Sequence, residues 1–220
     1  RACAKVPGFA EAAEIQLIEA SDALRQIQAR TLQAWQVTWS TEVDDLPDQP
    51  LYLVANEFFD ALPIRQFLRD GMRWRERQVG LQDGALALGL GPAQPQPALN
   101  NRIEDTRDGD VVEICGALSP ILSRIAPRIA QHGGTALIID YGDWRTLGDT
   151  WQAVQDHEPT NPLANPGAAD LTAHVDFEAI ALAGFSCVWI DTEHSHISLG
   201  DLSNLILAAR TVDLDLVVRI

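Results

Sequence analysis

Leu51-Tyr52-Leu53-Val54-Ala55-Asn56-Glu57-Phe58-Phe59-Asp60-Ala61-Leu62-Pro63 decides how the rest of the chain is read. The apolar run Leu51 to Ala55 fits a strand buried in a parallel sheet, and it ends abruptly in Asn56 and Glu57, with Asp60 close behind. In open α/β sheets, ligands sit just beyond the carboxyl ends of the strands, so these polar groups stand where such a fold keeps its chemistry. The same residues also suit the cap of a following turn or helix, and spacing alone does not separate the two uses.

The pattern recurs on both sides. Downstream, Thr135 to Ile139 reads as a second buried strand, again followed by polar groups, Asp140-Tyr141-Gly142. Upstream, Ile15 to Ile18 reads as a short strand with Glu19 at its end. Ser21 caps a helix carrying Leu24, Ile27 and Leu32 near helical spacing. An acid at the end of the second strand takes ribose hydroxyls in nucleotide-binding α/β folds, and Glu19 suits that role as well as it suits a solvated strand end. Val37 to Trp39 is a candidate third strand, followed by a polar, proline-bearing loop over 44–50.

After Pro63 the period changes. Ile64 to Arg69, Asp70-Gly71, and Met72 to Val79 read as a β-hairpin with Asp-Gly as its turn, and Ala85 to Leu88 as a further strand. Arg65, Arg69, Arg73, Arg75 and Arg77 make this segment basic, which fits either a solvated sheet face or a docking surface for an acidic partner. The Pro/Gln-rich 91–97 stretch reads as a loop, and Val111 to Cys115 as a strand. Ser119 as N-cap and Pro120 at the first helical position predict a helix to about His132, kinked at Pro127 and ended by Gly133-Gly134. The long 143–170 segment, rich in Pro, Asn and Gly, reads as a functional or mobile loop containing His157.

Composition narrows the function classes. At 220 residues the chain suits one or two domains, and a formal net charge of −15 argues against a general nucleic-acid binder. Cys3, Cys115 and Cys187 have no metal-ligand spacing and read as reduced thiols, which suggests a cytosolic setting. No apolar run is long enough to span a bilayer, so no membrane partner is expected. The chain starts at Arg1, which points to an upstream N-terminus.

The segments 55–64, Leu137 to Gly142, Gly148-Asp149-Thr150 through Asp156-His157, and Pro162 to Phe177 resemble the MidA family. That is a family of S-adenosylmethionine (SAM)-dependent methyltransferases with members that methylate a protein arginine. The resemblance covers about residues 1–180 and implies an incomplete class I methyltransferase (Rossmann-like) sheet with an inserted β-hairpin. It implies SAM as cofactor, with Glu19 on its ribose, and Asn56, Glu57, Asp60, Asp140 and Tyr141 along the active-site rim. Glu57 would orient a guanidinium by paired hydrogen bonds. The family's glycine-rich turn, which cradles the methionine part of SAM, has no counterpart in this sequence, so the cofactor site is expected to be incomplete.

Past Glu178 the pattern changes. A strand passing into a polar loop over 184–195, a helix with Ser198 and Asp201 as its N-cap pair and an apolar face of Leu202, Leu205, Ile206 and Ala209, and a strand over 214–220 make one βαβ unit. Asp191 and His194 form a plausible acid–base pair at a strand end, and ordinary turn polarity explains them equally well. Ile190-Asp191-Thr192-Glu193-His194 and Val217-Val218-Arg219 resemble the start of the HpcH/HpaI aldolases. That likeness implies His194 as base, oriented by Asp191, Arg219 on a pyruvyl group, and a divalent metal whose ligands come from later strands. One βαβ unit does not close an eight-stranded barrel.

The expectation is thus an α/β protein with a partial methyltransferase domain over 1–180 and a βαβ unit over 181–220. The proposed reaction is methyl transfer to a protein side chain, arginine nitrogen first among them. Cytoplasmic location is expected in a bacterium, and the mitochondrial matrix in a eukaryote. The alternatives are a metal-dependent aldolase fragment and a catalytically silent scaffold.

Overall fold

Short apolar runs broken by polar, glycine- and proline-bearing stretches give many short elements, and the fold is assembled from pairs of them. The structure, a computed structural model, describes residues 5–191, 199–211 and 215–219. A short helix, α1 (Phe9–Ala12), precedes β1 (Ile15–Ile18), α2 (Asp22–Thr31) and β2 (Val37–Ser40). β1 and β2 pair in parallel, from Ile15 opposite Val37 to Ile18 opposite Ser40, with α2 as the crossover. Ser21 starts α2 as expected, its Oγ accepting the Leu24 N–H at 3.3 Å. Leu24 and Ile27, the expected apolar face of that helix, are exposed.

β3 (Leu51–Asn56) leads into the inserted antiparallel sheet. That sheet consists of β4 (Ile64–Asp70), β5 (Arg73–Gln82), β6 (Ala85–Leu90) and β7 (Val111–Cys115), in the order β6-β5-β4-β7. The expected hairpin is present: Asp70 stands opposite Arg73 across Gly71-Met72. A second hairpin follows at Asp83-Gly84, where both residues have positive φ, 52° and 81°. This is the backbone a two-residue turn needs to match the strand twist, and it carries β5 beyond the expected end at Val79. Phe67, Trp74, Leu99 and Val112 form the core of this sheet. The 91–97 loop is fixed through Gln94, which exchanges both backbone hydrogen bonds with Trp74 at 2.9 Å.

α3 (Leu118–His132) begins earlier than its capping residues suggest. Ala117 holds the cap position without a side-chain bond, and Ser119 lies inside the helix. Leu118 is buried with Leu122 in the central core, and seating it there draws the first turn forward. Pro127 lies within the helix, and Gly133 ends it with a positive φ of 85° and an extended ψ of 175°. β8 (Gly134–Ile139) then runs parallel to β3, from Leu51 opposite Gly134 to Asn56 opposite Ile139.

Both strands were expected to be buried on both faces, and here the structure corrects the reading. Burial alternates along β3, and Tyr52 and Val54 are 78% and 71% exposed. Leu137 and Ile139 of β8 are exposed as well. The pair packs through Leu51, Leu53 and Ala136 onto Val43, Leu46 and Ile125, so one face is covered and the other is open. Ile18 of β1 joins the same cluster, yet β1–β2 and β3–β8 remain separate sheets.

The 143–170 segment is not the irregular loop its composition suggested. After β9 (Gly142–Asp143) come β10 (Gln152–Gln155), β11 (Glu158–Thr160) and β12 (Asp170–Thr172), which form a sheet in the order β11-β10-β12. β13 (Val175–Asp176) returns to pair in parallel with β9. Asp176 caps α4 (Phe177–Leu182) by accepting the Ala179 N–H at 3.1 Å. β14 (Cys187–Asp191), α5 (Leu199–Thr211) and β15 (Asp215–Arg219) make the expected βαβ unit. The anticipated cap at Ser198 lies outside the described residues. Phe185, just before β14, packs against both core clusters that α3 supplies.

Candidate active site

The parallel register of β3 and β8 ends at Asn56 opposite Ile139, so Glu57 and Asp140 leave the two strands side by side. The Glu57 N–H donates to the Ile139 carbonyl at 2.8 Å, and Glu57 itself has a φ of 47°, a left-handed conformation uncommon for a residue with a side chain. Asp140 binds the turn that follows β3. Its Oδ2 accepts the N–H groups of Phe59 at 2.9 Å and Asp60 at 3.3 Å, and its Oδ1 accepts that of Tyr141 at 2.9 Å. Burial nevertheless pushes the Asp140 carboxyl above its ordinary value, with these backbone donors opposing the shift. Tyr141 is exposed, and its carbonyl accepts the Val175 N–H at 2.8 Å. Asn56 and Glu57 are exposed at the same rim.

Asp60 is only 6% exposed, and its Oδ1 is buried without a hydrogen-bond partner. Its backbone is fixed on both sides, the N–H to Asp140 and the carbonyl to the Ala173 N–H at 2.9 Å. Burial raises its carboxyl above the ordinary value, and the neighbouring charges of Asp140 and Glu57 raise it further. The structure thus brings Glu57, Asp60 and Asp140 together, and among the described residues no basic side chain bonds to any of them. A cation is the ligand such a cluster favours.

Glu19 stands at the end of β1. Its Oε1 accepts the Ser21 N–H at 2.9 Å and its Oε2 accepts the Gln28 amide at 3.0 Å. Gln28 is held in turn by the Trp39 indole N–H at 2.9 Å. The carboxylate is therefore oriented while each oxygen keeps a free lone pair, a donor set that fits a pair of ribose hydroxyls. Neither the sequence nor the described residues provide a G-x-G-x-G turn, so the fit that the geometry supports is to the ribose of SAM.

A second polar network escaped the sequence reading. Glu113, buried in the middle of β7, accepts the Gln66 amide at 2.7 Å, the Thr150 N–H at 3.0 Å and the Thr150 hydroxyl. Asp149 accepts the same Gln66 amide at 2.7 Å and Arg77 at 2.5 Å. The Gly148-Asp149-Thr150 motif thereby anchors the inserted sheet to the 143–173 segment. A charged residue inside the apolar run Val111-Val112-Glu113-Ile114 was the available signal. His157, read as a possible acid or base, sits beside Asp156 at an exposed hairpin turn, with φ of 65° and 53°.

At the other end of the chain, Asp191 and Arg219 are register partners where β14 and β15 finish. His194 lies outside the described residues. Among the described residues no group of three His, Cys, Asp or Glu side chains is arranged to hold a metal ion. No described helix is long and apolar enough to cross a membrane.

The chain is similar to known proteins over much of its length. A Burkholderia thailandensis protein, whose crystal structure has S-adenosyl-homocysteine bound, superposes with a TM-score of 0.61 at 28% identity, covering 79% of this chain and 49% of that one. The mitochondrial protein arginine methyltransferase NDUFAF7 of Xenopus tropicalis is 35% identical over 167 residues, covering 73% of this chain and 39% of the relative. The human NDUFAF7 is 32% identical over 188 residues, covering 74% and 42%. The chain thus spans about two fifths of the length of these relatives. The mixed α/β architecture with parallel crossovers is consistent with the Rossmann-like fold of this group. A family model described as "Putative S-adenosyl-L-methionine-dependent methyltransferase" matches residues 1–192, so it reaches into the segment that resembled aldolases, and the chain belongs to that methyltransferase family.

Proposed function

We propose that this chain carries the acceptor rim and the ribose carboxylate of a SAM-dependent methyltransferase that modifies a protein arginine. Residues 1–180 form the methyltransferase part, and 181–220 add a βαβ unit to it. The carrying observation is the convergence of Glu57, Asp60 and Asp140 at the carboxyl ends of β3 and β8, with no basic side chain bonded to them among the described residues. The family match and the naming of its relatives as protein arginine methyltransferases support the reading.

When bound, SAM supplies an electrophilic methyl group on a sulfonium sulfur. Glu19, already oriented by Ser21 and Gln28, takes the ribose hydroxyls. Glu57 is exposed and its carboxylate bonds to no group among the described residues, so both oxygens are available for paired hydrogen bonds to a guanidinium. That pairing fixes one nitrogen toward the donor side, and positioning of this kind supplies much of the acceleration in a displacement reaction. Glu57 also takes the proton that the nitrogen sheds. Asp140 holds the 57–62 turn in place, and Asn56 and Tyr141 line the same mouth. In a eukaryote the protein would work in the mitochondrion, as its relatives' names suggest, with the matrix as the compartment we propose, and in a bacterium in the cytoplasm.

Titration calorimetry with SAM tests the reading. A saturable heat with one site, weakened by Glu19→Ala, is expected. A folded chain that gives no heat contradicts it.

A further inference from the structure

A cleft of about 330 Å³ opens between the inserted sheet and the β12 strand, and Asp60 forms part of its wall. Arg77, Val79 and Leu88 line it from the sheet, and Trp151 and Leu171 from the opposite side. Its two cations are already satisfied. Arg65 makes a two-pronged pair with Glu76 at 2.6 and 3.0 Å, and Arg77 donates to Asp149 and to the Gln66 side-chain Oε1. Asp60 is the carboxylate of this wall with which no basic group among the described residues pairs, and its Oδ1 is buried without a donor. Its backbone is fixed on both sides, the N–H to Asp140 and the carbonyl to Ala173. A buried acceptor left in this state is costly unless a ligand completes it.

We infer that the acceptor arginine enters through this cleft and that Asp60 Oδ1 takes one of its guanidinium N–H groups. This inference rests on the methyltransferase reading and deepens it by naming the entry face and a second carboxylate beside Glu57. The apolar parts of Val79, Leu88 and Leu171 suit the methylene stem of an arginine, while the charged head reaches the carboxylates. Guanidinium is favoured over an ammonium because the planar fork presents several N–H groups, one for Asp60 in the wall and others for acceptors around it.

Backbone amide NMR of the chain, titrated with N-acetyl-arginine amide and separately with N-acetyl-citrulline amide, tests the assignment. Citrulline matches arginine in length and lacks its charge. Saturable shifts of the Ala61 and Ala173 amides are expected with the arginine probe and not with citrulline. Asp60→Asn should weaken arginine binding by about tenfold or more. Equal shifts with both probes, shifts that survive Asp60→Asn, or no shifts at these amides would overturn the assignment. The citrulline comparison needs no variant, so it holds even if Asp60→Asn folds poorly. SAM binding, measured by calorimetry on the same sample, separates the two levels. Heat from SAM without arginine shifts rejects the cleft and leaves the methyltransferase reading, whereas arginine shifts without SAM heat reject the reading and leave the cleft.

Discussion

The Asp140 carboxylate accepts the backbone N–H of Asp60 at 3.3 Å, so one rim acid holds in place the residue that carries the next. The same Asp140 oxygen also accepts Phe59, whose side chain is buried in the central core. The end of β8 is thereby coupled to the turn after β3, and Asp140 has a structural duty that its sequence neighbourhood does not advertise.

Asp140→Ala should lower unfolding free energy by about 3 kcal/mol, because three backbone donors lose a charged acceptor at once. Asp140→Asn keeps one acceptor oxygen and should cost less. Urea midpoints of the two variants decide this, and an Ala variant as stable as the parent would show that the turn holds without it.

Gly134 allows the close approach of β8 to β3. It has a φ of 115°, and a Cβ there would run into the Leu51 carbonyl. Gly134→Ala should therefore cost at least about 2 kcal/mol and disturb the β3–β8 register. Gly71, also at positive φ but facing open space, is the comparison, and Gly71→Asn should be tolerated with little loss. Denaturant unfolding of both variants gives the contrast.

The raised Asp60 carboxyl sets the sign of a pH effect. The folded state holds this proton more tightly than the unfolded state, whose carboxyl titrates near 3.8. Between those two values the folded chain binds more protons, so the Asp60 contribution to stability falls as pH rises from about 3.8 through the raised value. Asp60→Asn should remove this contribution, so its stability relative to the parent should rise across the same window. Thermal melts of both proteins at several pH values check the slope, and parallel curves would contradict it.

Glu113→Ala should destabilise by about 3 kcal/mol, since it removes one of the two acceptors of the buried Gln66 amide and the carboxylate acceptor of both Thr150 donors. The loss should appear first in the 143–173 segment, as faster amide exchange there than in β5 or β6.

The sequence made the strand–polar-end pattern legible because apolar runs and their abrupt stops are local signals. Glu57, Asp60 and Asp140 were all found that way, and so were the 64–79 hairpin and the C-terminal βαβ unit. Burial was misjudged at Tyr52 and Val54, because whether a strand is covered on both faces depends on distant elements. The 143–170 segment was misread because β10, β11 and β12 are each only a few residues long, and their pairing depends on turns such as Asp156-His157. Asp140's role as turn anchor was invisible for the same reason, since its partners Phe59 and Asp60 lie 81 and 80 positions away.

The central claim is that Glu19 and the Glu57–Asp60–Asp140 rim serve one ligand. Amide-shift mapping with S-adenosyl-homocysteine tests it most directly. The account predicts saturable shifts at Glu19, Ser21, Glu57, Asp140 and Tyr141 in a single binding event. Shifts confined to one of the two strand pairs, or none in a folded chain, would contradict it.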